Sequence, residues 1–252
     1  RAAEAGGGGG VWRPGVGFEG VPGDGLAAHR KGQLPSASWL TLAFFGGTGF
    51  SRGTATTMIE NINRGGAVRR GGKITPVPGA WRERDIDFGD KVRHCVTIPW
   101  GDVSTAFYST GIPNIEVYTA APASSVRGMK LARIFGGVMA TAPVQSYLKR
   151  RINAGAPGPS EAQRSRATAR LWGEAWDDSG TRVQARLKTP DGYTLTAMTA
   201  VACARKVIAE TMPVGYQTPS KVFGPDFILE IAGTAREDIS TGRTTAGPVS
   251  HC

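Results

Sequence analysis

The stretch TIPWGDVSTAFYSTGIPNIEVY, from Thr97 to Tyr118, contains a strand, a helix and a second strand in 22 residues and decides the predicted fold class. Its β-branched start predicts a strand that ends at Pro99, because proline cannot donate to a sheet ladder. Asp102 is predicted to cap the short helix, since its carboxylate can accept from the free amides of the first turn. Gly111 is predicted to end that helix in the left-handed region, and the residues up to Tyr118 alternate as a second strand.

The start of this helix combines backbone amides with polar and aromatic side chains. A helix N-terminus beside a strand end favours an anionic or carbonyl group, because its first amides have no partner within the helix. We therefore predict a substrate-binding site formed by Trp100, Asp102, Ser104 and Thr105, with Tyr108 as a candidate proton donor. The alternative is ordinary helix capping, in which Ser, Thr and Asp are common without any ligand.

A second helix start carries the sequence Ser51-Arg52-Gly53-Thr54. The hydroxyls of Ser51 and Thr54 and the guanidinium of Arg52 predict a further substrate contact, since arginine binds carboxylate or phosphate in a bidentate way. Ordinary capping is again the alternative. The preceding GGTGF imitates a dinucleotide turn, but Arg52 occupies the place of the third glycine and no acidic residue follows about 20 positions later. We therefore reject a nucleotide-binding turn here.

The rest of the chain alternates between hairpin and helix patterns. Strands are predicted over 38–45 and 227–229, hairpins over 67–77, 82–98 and 167–188, helices over 26–31, 51–63, 124–152 and 194–210, and a disordered tail over 234–252. Strands that are close in sequence and are followed by helices predict an α+β fold. Its sheet is expected to be mostly antiparallel and covered by helices on one face.

Five segments resemble the bacterial saccharopine dehydrogenase-like oxidoreductases, a group that includes trans-acting enoyl reductases. They cover most of residues 11–232 in the family's order. The segments are PGVGFEGVPGDGLA (Pro14–Ala27), GFSRGTATTMIENINRGGAVRRGGKITPVPGAWRERDIDFG (Gly49–Gly89), the stretch quoted first, TPDGYTLTAMTAVACARKV (Thr189–Val207) and GYQTPSKVFGPDFILE (Gly215–Glu230).

The resemblance implies a division of the chain into parts of a two-domain Rossmann oxidoreductase. Residues 1–33 would be a remnant of the nucleotide-binding domain and the crossover, 34–210 the substrate-binding and dimerisation domain, 211–233 a C-terminal return segment, and 234–252 the tail. The chain begins with Arg1 and its first methionine is Met58, so we expect a missing upstream Rossmann domain.

The resemblance also implies an activity for the full-length protein. Hydride would pass to or from a C=N, C=O or C=C bond of a small-molecule or acyl substrate, with NADP or NAD as cofactor, and the protein would be a homodimer. Without the dinucleotide motif, this chain alone is expected neither to bind the cofactor nor to turn over substrate. The alternative is a non-catalytic, sheet-mediated dimerisation or regulatory module.

The segment Pro14-Gly15-Val16-Gly17-Phe18 resembles the family's turn near the nicotinamide end of the cofactor. The resemblance therefore implies Pro14, Gly15, Gly17 and Phe18 as cofactor-binding residues, since glycine lets the backbone approach a ligand. The alternative is a tight turn without a ligand. The chain departs from the family nearby, because glycine replaces bulkier residues at positions 20, 23 and 25.

The chain is strongly basic, with 30 Lys and Arg against 20 Asp and Glu. A solvated basic surface explains this charge, and attraction to a phosphorylated ligand such as NADP or an acyl-carrier thioester is the alternative. Nucleic acid is not expected, because aromatic residues make up 8% and no recognition motif is present. No apolar run could span a bilayer and no signal-peptide pattern occurs, so a cytoplasmic protein without a membrane span is expected.

Histidine and cysteine predict neither catalysis nor metal binding. His94 is the only central histidine and, without a close carboxylate or cysteine partner, is expected to be structural. Cys95, Cys203 and Cys252 are odd in number and far apart in sequence. This pattern favours reduced thiols over disulfides and contains no metal motif. Apart from Tyr108 as a candidate proton donor, the sequence therefore names no catalytic acid or base, and it names no metal ligand.

Overall fold

The computed structural model describes residues 11–12, 15–61, 64–209, 213 and 215–239. The strands are β1 (Val11–Trp12), β2 (Trp39–Phe45), β3 (Gly66–Arg70), β4 (Lys73–Val77), β5 (Glu83–Asp87), β6 (Val92–Thr97), β7 (Asn114–Ala120), β8 (Thr168–Trp176), β9 (Arg182–Pro190), β10 (Gly215–Tyr216) and β11 (Ala235–Ile239). The α-helices are α1 (Val21–Gln33), α2 (Arg52–Glu60), α3 (Asp102–Thr110), α4 (Ala123–Met139), α5 (Ala142–Ala154), α6 (Glu161–Arg166), α7 (Gly192–Ala209) and α8 (Pro219–Phe223), and a 3-10 helix covers Phe227–Glu230.

Within the described residues, nine strands form one sheet, and β1 and β10 form a separate parallel pair. The large sheet has the order β11-β9-β8-β2-β7-β3-β4, and β6 pairs with the C-terminal part of β7 and carries β5. Its central strands β2 and β7 are parallel, with Leu42 opposite Val117. The sheet is therefore mixed, which corrects the prediction of a mostly antiparallel sheet. The parallel pair arises because the long excursion 46–113 returns the chain beside β2 in the same direction.

Helices α1, α3 and α7 and the 3-10 helix share one hydrophobic core with the sheet. Alternate residues of β2 (Leu40, Leu42 and Phe44) belong to this core, as the two-residue period of a strand requires. Leu26 of α1 is 1% exposed and packs directly on β8. The absence of a side chain at Gly173 allows this approach, since a Cβ there would lie 3.0 Å from Leu26 Cδ2. Full burial of such a leucine contributes about 2 kcal/mol.

The opposite sheet face is polar and aromatic, and hairpin β5–β6 folds across part of it. Ile86 and Cys95 of the hairpin join Trp172 of β8 in a small buried cluster. Glu174 of β8 is also buried on this face, and Arg84 of β5 donates to it at 2.9 Å. Burial raises the pKa of the Cys95 thiol to about 12, so the thiol stays protonated and unreactive at neutral pH.

Local predictions are confirmed where a turn or a cap decides the structure. Gly111 ends α3 with a φ of 71° and donates its amide to the Phe107 carbonyl. The predicted helix over 124–152 splits into α4 and α5, and Pro143 lies in the first turn of α5. Each of the three predicted hairpins is present, as β3–β4, β5–β6 and β8–β9.

Predictions that depend on distant partners are wrong at three places. Residues 227–229 belong to the 3-10 helix rather than to a strand. Residues 235–239 of the predicted disordered tail form β11, because β9 offers an antiparallel edge to them; residues 240–252 lie outside the described part. The helix predicted over 26–31 begins earlier, at Val21, so Asp24 lies inside it. No helix in the described part of the chain combines the length and apolar content needed to cross a membrane.

Candidate functional site

The start of α2 has the predicted cap, but its arginine is already engaged. Ser51 Oγ accepts from the Thr54 amide at 3.2 Å, as a helix N-cap does. The Arg52 guanidinium donates through Nε at 3.2 Å and Nη2 at 2.5 Å to the Gly155 carbonyl. Arg52 therefore ties α2 to the loop after α5, and a ligand would have to displace this contact to gain a bidentate partner.

Tyr193 connects the start of α2 to the start of α7. The Ser51 amide donates to Tyr193 Oη at 2.6 Å, and Thr54 Oγ1 lies 3.4 Å from the same oxygen. Asp191 supports this arrangement: it is fully buried and accepts from the Tyr193 amide at 3.0 Å and from Thr48 Oγ1 at 2.5 Å. The hydroxyls of Thr48 and Thr54 and the amide of Ser51 thus have one carboxylate and one phenol as partners at this corner of the fold.

The predicted cofactor turn packs against the same helix start. The Phe18 amide donates to Thr196 Oγ1 at 3.0 Å, and a Cβ at Gly17 would lie 2.8 Å from Thr196 Cγ2. Gly15 has a φ of 65°, a conformation that glycine adopts more readily than other residues. This conformation agrees with a tight turn, which is the alternative to a cofactor contact. Pro14 lies outside the described residues. The Thr196 side chain of α7 therefore occupies the space that the missing side chain of Gly17 leaves.

An aromatic cluster joins the predicted cofactor turn to the predicted substrate segment. The rings of Phe18 and Phe44 meet edge to face at 5.6 Å, and those of Phe44 and Trp100 lie 4.6 Å apart. Phe44 is the next-to-last residue of β2, and Trp100 lies shortly after the end of β6. The fold therefore brings together segments that are more than 80 residues apart in sequence.

The start of α3 differs from the predicted anion seat. The N-cap residue is Gly101, no side chain caps the helix, and Asp102 is its first residue with 3% exposure. Burial raises the pKa of Asp102 well above its ordinary range, and the nearby charges of Asp24 and Glu19 raise it further. The cap prediction is wrong because the Asp102 carboxyl turns inward and lies buried against Gly23 of α1 instead of accepting from the amides of the first turn.

The other predicted residues of α3 occupy different surroundings. Thr105 is buried, and its hydroxyl donates to Asp102 Oδ1 at 3.5 Å. Ser104 is half-buried. Tyr108 is 48% exposed and its ring packs 5.2 Å from that of Tyr216. Tyr108 is thus on the surface, at the opposite end of α3 from the aromatic cluster around Trp100.

A second buried carboxyl group, missed by sequence reasoning, lies between α1, α3 and α8. Asp24 accepts from the hydroxyl of Ser109 and, at 2.9 Å, from the Ser220 amide. Burial nevertheless raises the pKa of Asp24, and these hydrogen bonds only partly oppose it. The Ser220 hydroxyl is buried without a partner among the described residues. Asp24 and Asp102 form a buried carboxyl pair that favours protonation of at least one member.

The structure therefore gathers some predicted residues and separates others. Ser51, Thr54, Gly17 and Phe18 lie around the start of α7, Trp100 joins Phe18 through the ring of Phe44, and Tyr108 lies apart from them. Asp191, Tyr193 and Thr196, which complete this corner, lay in a segment already noted for its family resemblance, and Asp191 before a helical pattern is a recognisable cap signal. Two concavities of the described residues lie elsewhere, on the opposite sheet face, one beside Trp39 and Trp81 and the other beside Trp172 and Arg186.

Comparison with known proteins agrees with this architecture at the level of the fold. No protein-family model matches the sequence, and neither does any curated protein sequence. Among solved structures, the chain is similar to the apo form of saccharopine dehydrogenase (L-Glu forming) from Saccharomyces cerevisiae, with a TM-score of 0.54 and 8% sequence identity. The match covers 88% of this chain and 73% of the yeast protein. The chain therefore has a saccharopine dehydrogenase-like fold.

Proposed function

We propose that this chain is the substrate-binding portion of a saccharopine dehydrogenase-like NAD(P)-dependent oxidoreductase. The observation that supports it is the convergence of the turn at Phe18 and the α2 start at Ser51 on the first turn of α7, with Trp100 joined to Phe18 through the ring of Phe44. These are the segments that resemble the family in sequence, and the yeast enzyme shares the fold.

The residues at this corner suit binding and orientation rather than proton transfer. Phe18 and Trp100, which pack on the buried ring of Phe44, offer aromatic surface to the apolar part of a substrate, and the hydroxyls of Thr54 and Tyr193 offer hydrogen bonds to a polar group. In the full protein, the nicotinamide would supply or accept the hydride. Substrates with a C=N, C=O or C=C bond remain the proposed class.

The starts of α2 and α7 are poorly suited to hold a dinucleotide pyrophosphate. Helix starts hold phosphate through free backbone amides. At α7 these amides are taken by Asp191, and at α2 one is taken by Ser51. Gly17, whose lack of a side chain would let a cofactor approach, already faces Thr196. We therefore assign substrate positioning to this chain and no step of the cofactor's chemistry.

The test is an assay of nicotinamide oxidation with the protein expressed from its native gene. NADPH and NADH are each offered with an imine-forming mixture of amino acid and 2-oxo acid, with a 2-oxo acid alone, and with an enoyl thioester. We expect turnover with one class, and Trp100→Ala is expected to raise KM about ten-fold, because it removes an aromatic wall. Trp81→Ala, on the opposite sheet face, is the matched control. Failure of every class with both cofactors would reject the proposal.

A second candidate function is sheet-mediated dimerisation, with or without catalysis. The opposite sheet face carries stacked indoles of Trp39 and Trp176, 5.7 Å apart, and Arg182 lies 4.9 Å above the Trp176 ring. Tryptophan and arginine are enriched at protein interfaces. Light scattering of the purified chain tests this function: a dimer that Trp39→Ala dissociates would support it, and a monomer at all concentrations would exclude it.

A further inference from the structure

Helix α4 presents an exposed apolar stripe that the rest of the described chain leaves uncovered. Its members are Leu131, Ile134, Phe135 and Val138, with exposed fractions of 55%, 74%, 55% and 61%. Their spacing of three, four and seven residues places all four on one side of the helix. Val126 and Ala132, which are buried, hold the other side of α4 against the protein. The apolar stripe is therefore a continuous surface and not a set of scattered exposed residues.

The same region is exclusively basic in its charged residues. Between residues 123 and 154 the sequence has six Lys and Arg and no Asp or Glu. Lys130 pairs with Glu83, and Lys149 pairs with Glu60 at 2.7 Å. Arg127, Arg150 and Arg151 form no ion pair within the residues that the structure describes. These three arginines therefore keep their charge available for a partner.

Helix α5 continues this surface chemistry. Tyr147 is 57% exposed and is followed by Arg150 and Arg151 at the spacings that place them beside it on the helix. The side of α5 that faces the protein contacts α2, where the Gln145 side chain donates to the Ile59 carbonyl at 3.0 Å. An aromatic ring with a polar tip next to arginines is typical of the boundary between lipid headgroups and acyl chains.

We propose that α4 and α5 dock on the surface of an anionic lipid membrane. The apolar stripe would enter the boundary between headgroups and acyl chains, and Arg127, Arg150 and Arg151 would contact anionic headgroups. This arrangement lies on the membrane and does not span it, in keeping with the absence of a spanning helix among the described residues.

Charge decides between a membrane and the other occupants. A second copy of the chain would bring two sets of unpaired arginines together across a symmetric interface, which repel each other. A nucleic acid would satisfy the arginines but would leave the apolar stripe exposed to water. An anionic bilayer surface satisfies both the apolar and the basic part of the surface at once.

The first experiment is sedimentation of the purified chain with vesicles of phosphatidylcholine alone and of phosphatidylcholine mixed with phosphatidylserine. We expect the chain to bind the mixed vesicles and to bind the neutral ones at least about ten-fold more weakly, with partial release in high salt. Equal binding to the two vesicle types, or no binding to either, would overturn the proposal.

Substitutions test whether the surface of α4 and α5 is the part of the chain that binds the vesicles. Ile134→Ser with Phe135→Ser, and separately Arg150→Glu with Arg151→Glu, are each expected to weaken binding about ten-fold or more. Val201→Ser and Arg205→Glu on α7 are matched controls, since both residues are exposed on another helix. Equal losses in variants and controls would overturn the proposal. So would a concentration-dependent dimer that the Ile134 and Phe135 substitutions dissociate, because the stripe would then be a subunit interface.

Discussion

The carboxyl group of Asp102 lies directly against the backbone of Gly23, so that a Cβ at residue 23 would be 2.5 Å from Asp102 Oδ2. Both residues are buried, and α1 and α3 meet at this point. Glycine at position 23, where the family resemblance leads one to expect a bulkier residue, is therefore matched to the inward-turned carboxyl group. The cap predicted at Asp102 is replaced by a packing contact between two helices.

Gly23→Ala is expected to lower the free energy of unfolding by about 1–3 kcal/mol, because the added methyl must displace a buried carboxyl group. Urea unfolding measures the change. The matched control is Gly32→Ala in the same helix, where a Cβ meets nothing within 4 Å. That control is expected to raise stability by about 0.5–1 kcal/mol, since alanine has the higher helix propensity. A neutral Gly23→Ala variant would show that Asp102 moves aside freely.

Asp102→Asn is expected to change the pH dependence of stability. The pKa of Asp102 is higher in the folded than in the unfolded state, so its stabilising contribution is complete below the unfolded pKa and is lost as the pH rises through the folded pKa. The variant should therefore be more stable than the wild type at about pH 8, and the difference should shrink toward about pH 4.

Urea unfolding at several pH values measures this effect, and Asp178→Asn, at an exposed carboxyl group, is the control. Asp24, whose pKa is also raised, is present in the wild type, in Asp102→Asn and in Asp178→Asn. It therefore contributes to the pH dependence of stability in all three. A constant difference between Asp102→Asn and wild type across the pH range would show that Asp102 does not titrate as a buried group.

The two described histidines are expected to titrate in a fixed order. Hydrogen bonds to Asp85 at 2.9 Å and Glu83 at 2.8 Å raise the pKa of His94, whereas burial lowers the pKa of His29 against the opposing hydrogen bond to Asp238. NMR titration of the imidazole signals should therefore show His94 losing its proton at higher pH than His29.

His94→Gln assigns the signal in that titration. Because the folded-state pKa of His94 is raised, its contribution to stability is complete below its unfolded pKa and is lost as the pH rises through the folded value. The wild type should therefore lose stability relative to His94→Gln over that window. A His29 signal that titrates at higher pH than His94 would contradict the contacts described for both residues.

Tyr193→Phe is expected to loosen the corner formed by α2 and α7. The substitution removes the oxygen that accepts from the Ser51 amide, a hydrogen bond with a net contribution of about 1 kcal/mol. Hydrogen exchange at the Ser51 amide should become faster, with a small loss of global stability. Tyr147→Phe, on the exposed side of α5, is the control. Unchanged exchange at Ser51 would mean that another group protects this amide.

The sequence by itself determined the elements whose signals are local. Hairpins β3–β4 and β8–β9 follow from alternating residues around short turns, and the Ser51 cap and the end of α3 at Gly111 follow from side-chain and backbone chemistry within one turn. These signals need no distant partner, because the groups that form each hydrogen bond are only a few residues apart.

Only the tertiary structure decided the features that depend on contacts between distant segments. His94 has carboxylate partners because β5 places Asp85 opposite it in register, although its sequence surroundings predicted none. Asp102 turns inward because Gly23 leaves room, and Tyr193 reaches Ser51 across 142 residues. The parallel pairing of β2 with β7 also depends on contacts between distant segments. The physical reason is that burial and register are fixed by the packing of whole elements, which no short window of sequence contains.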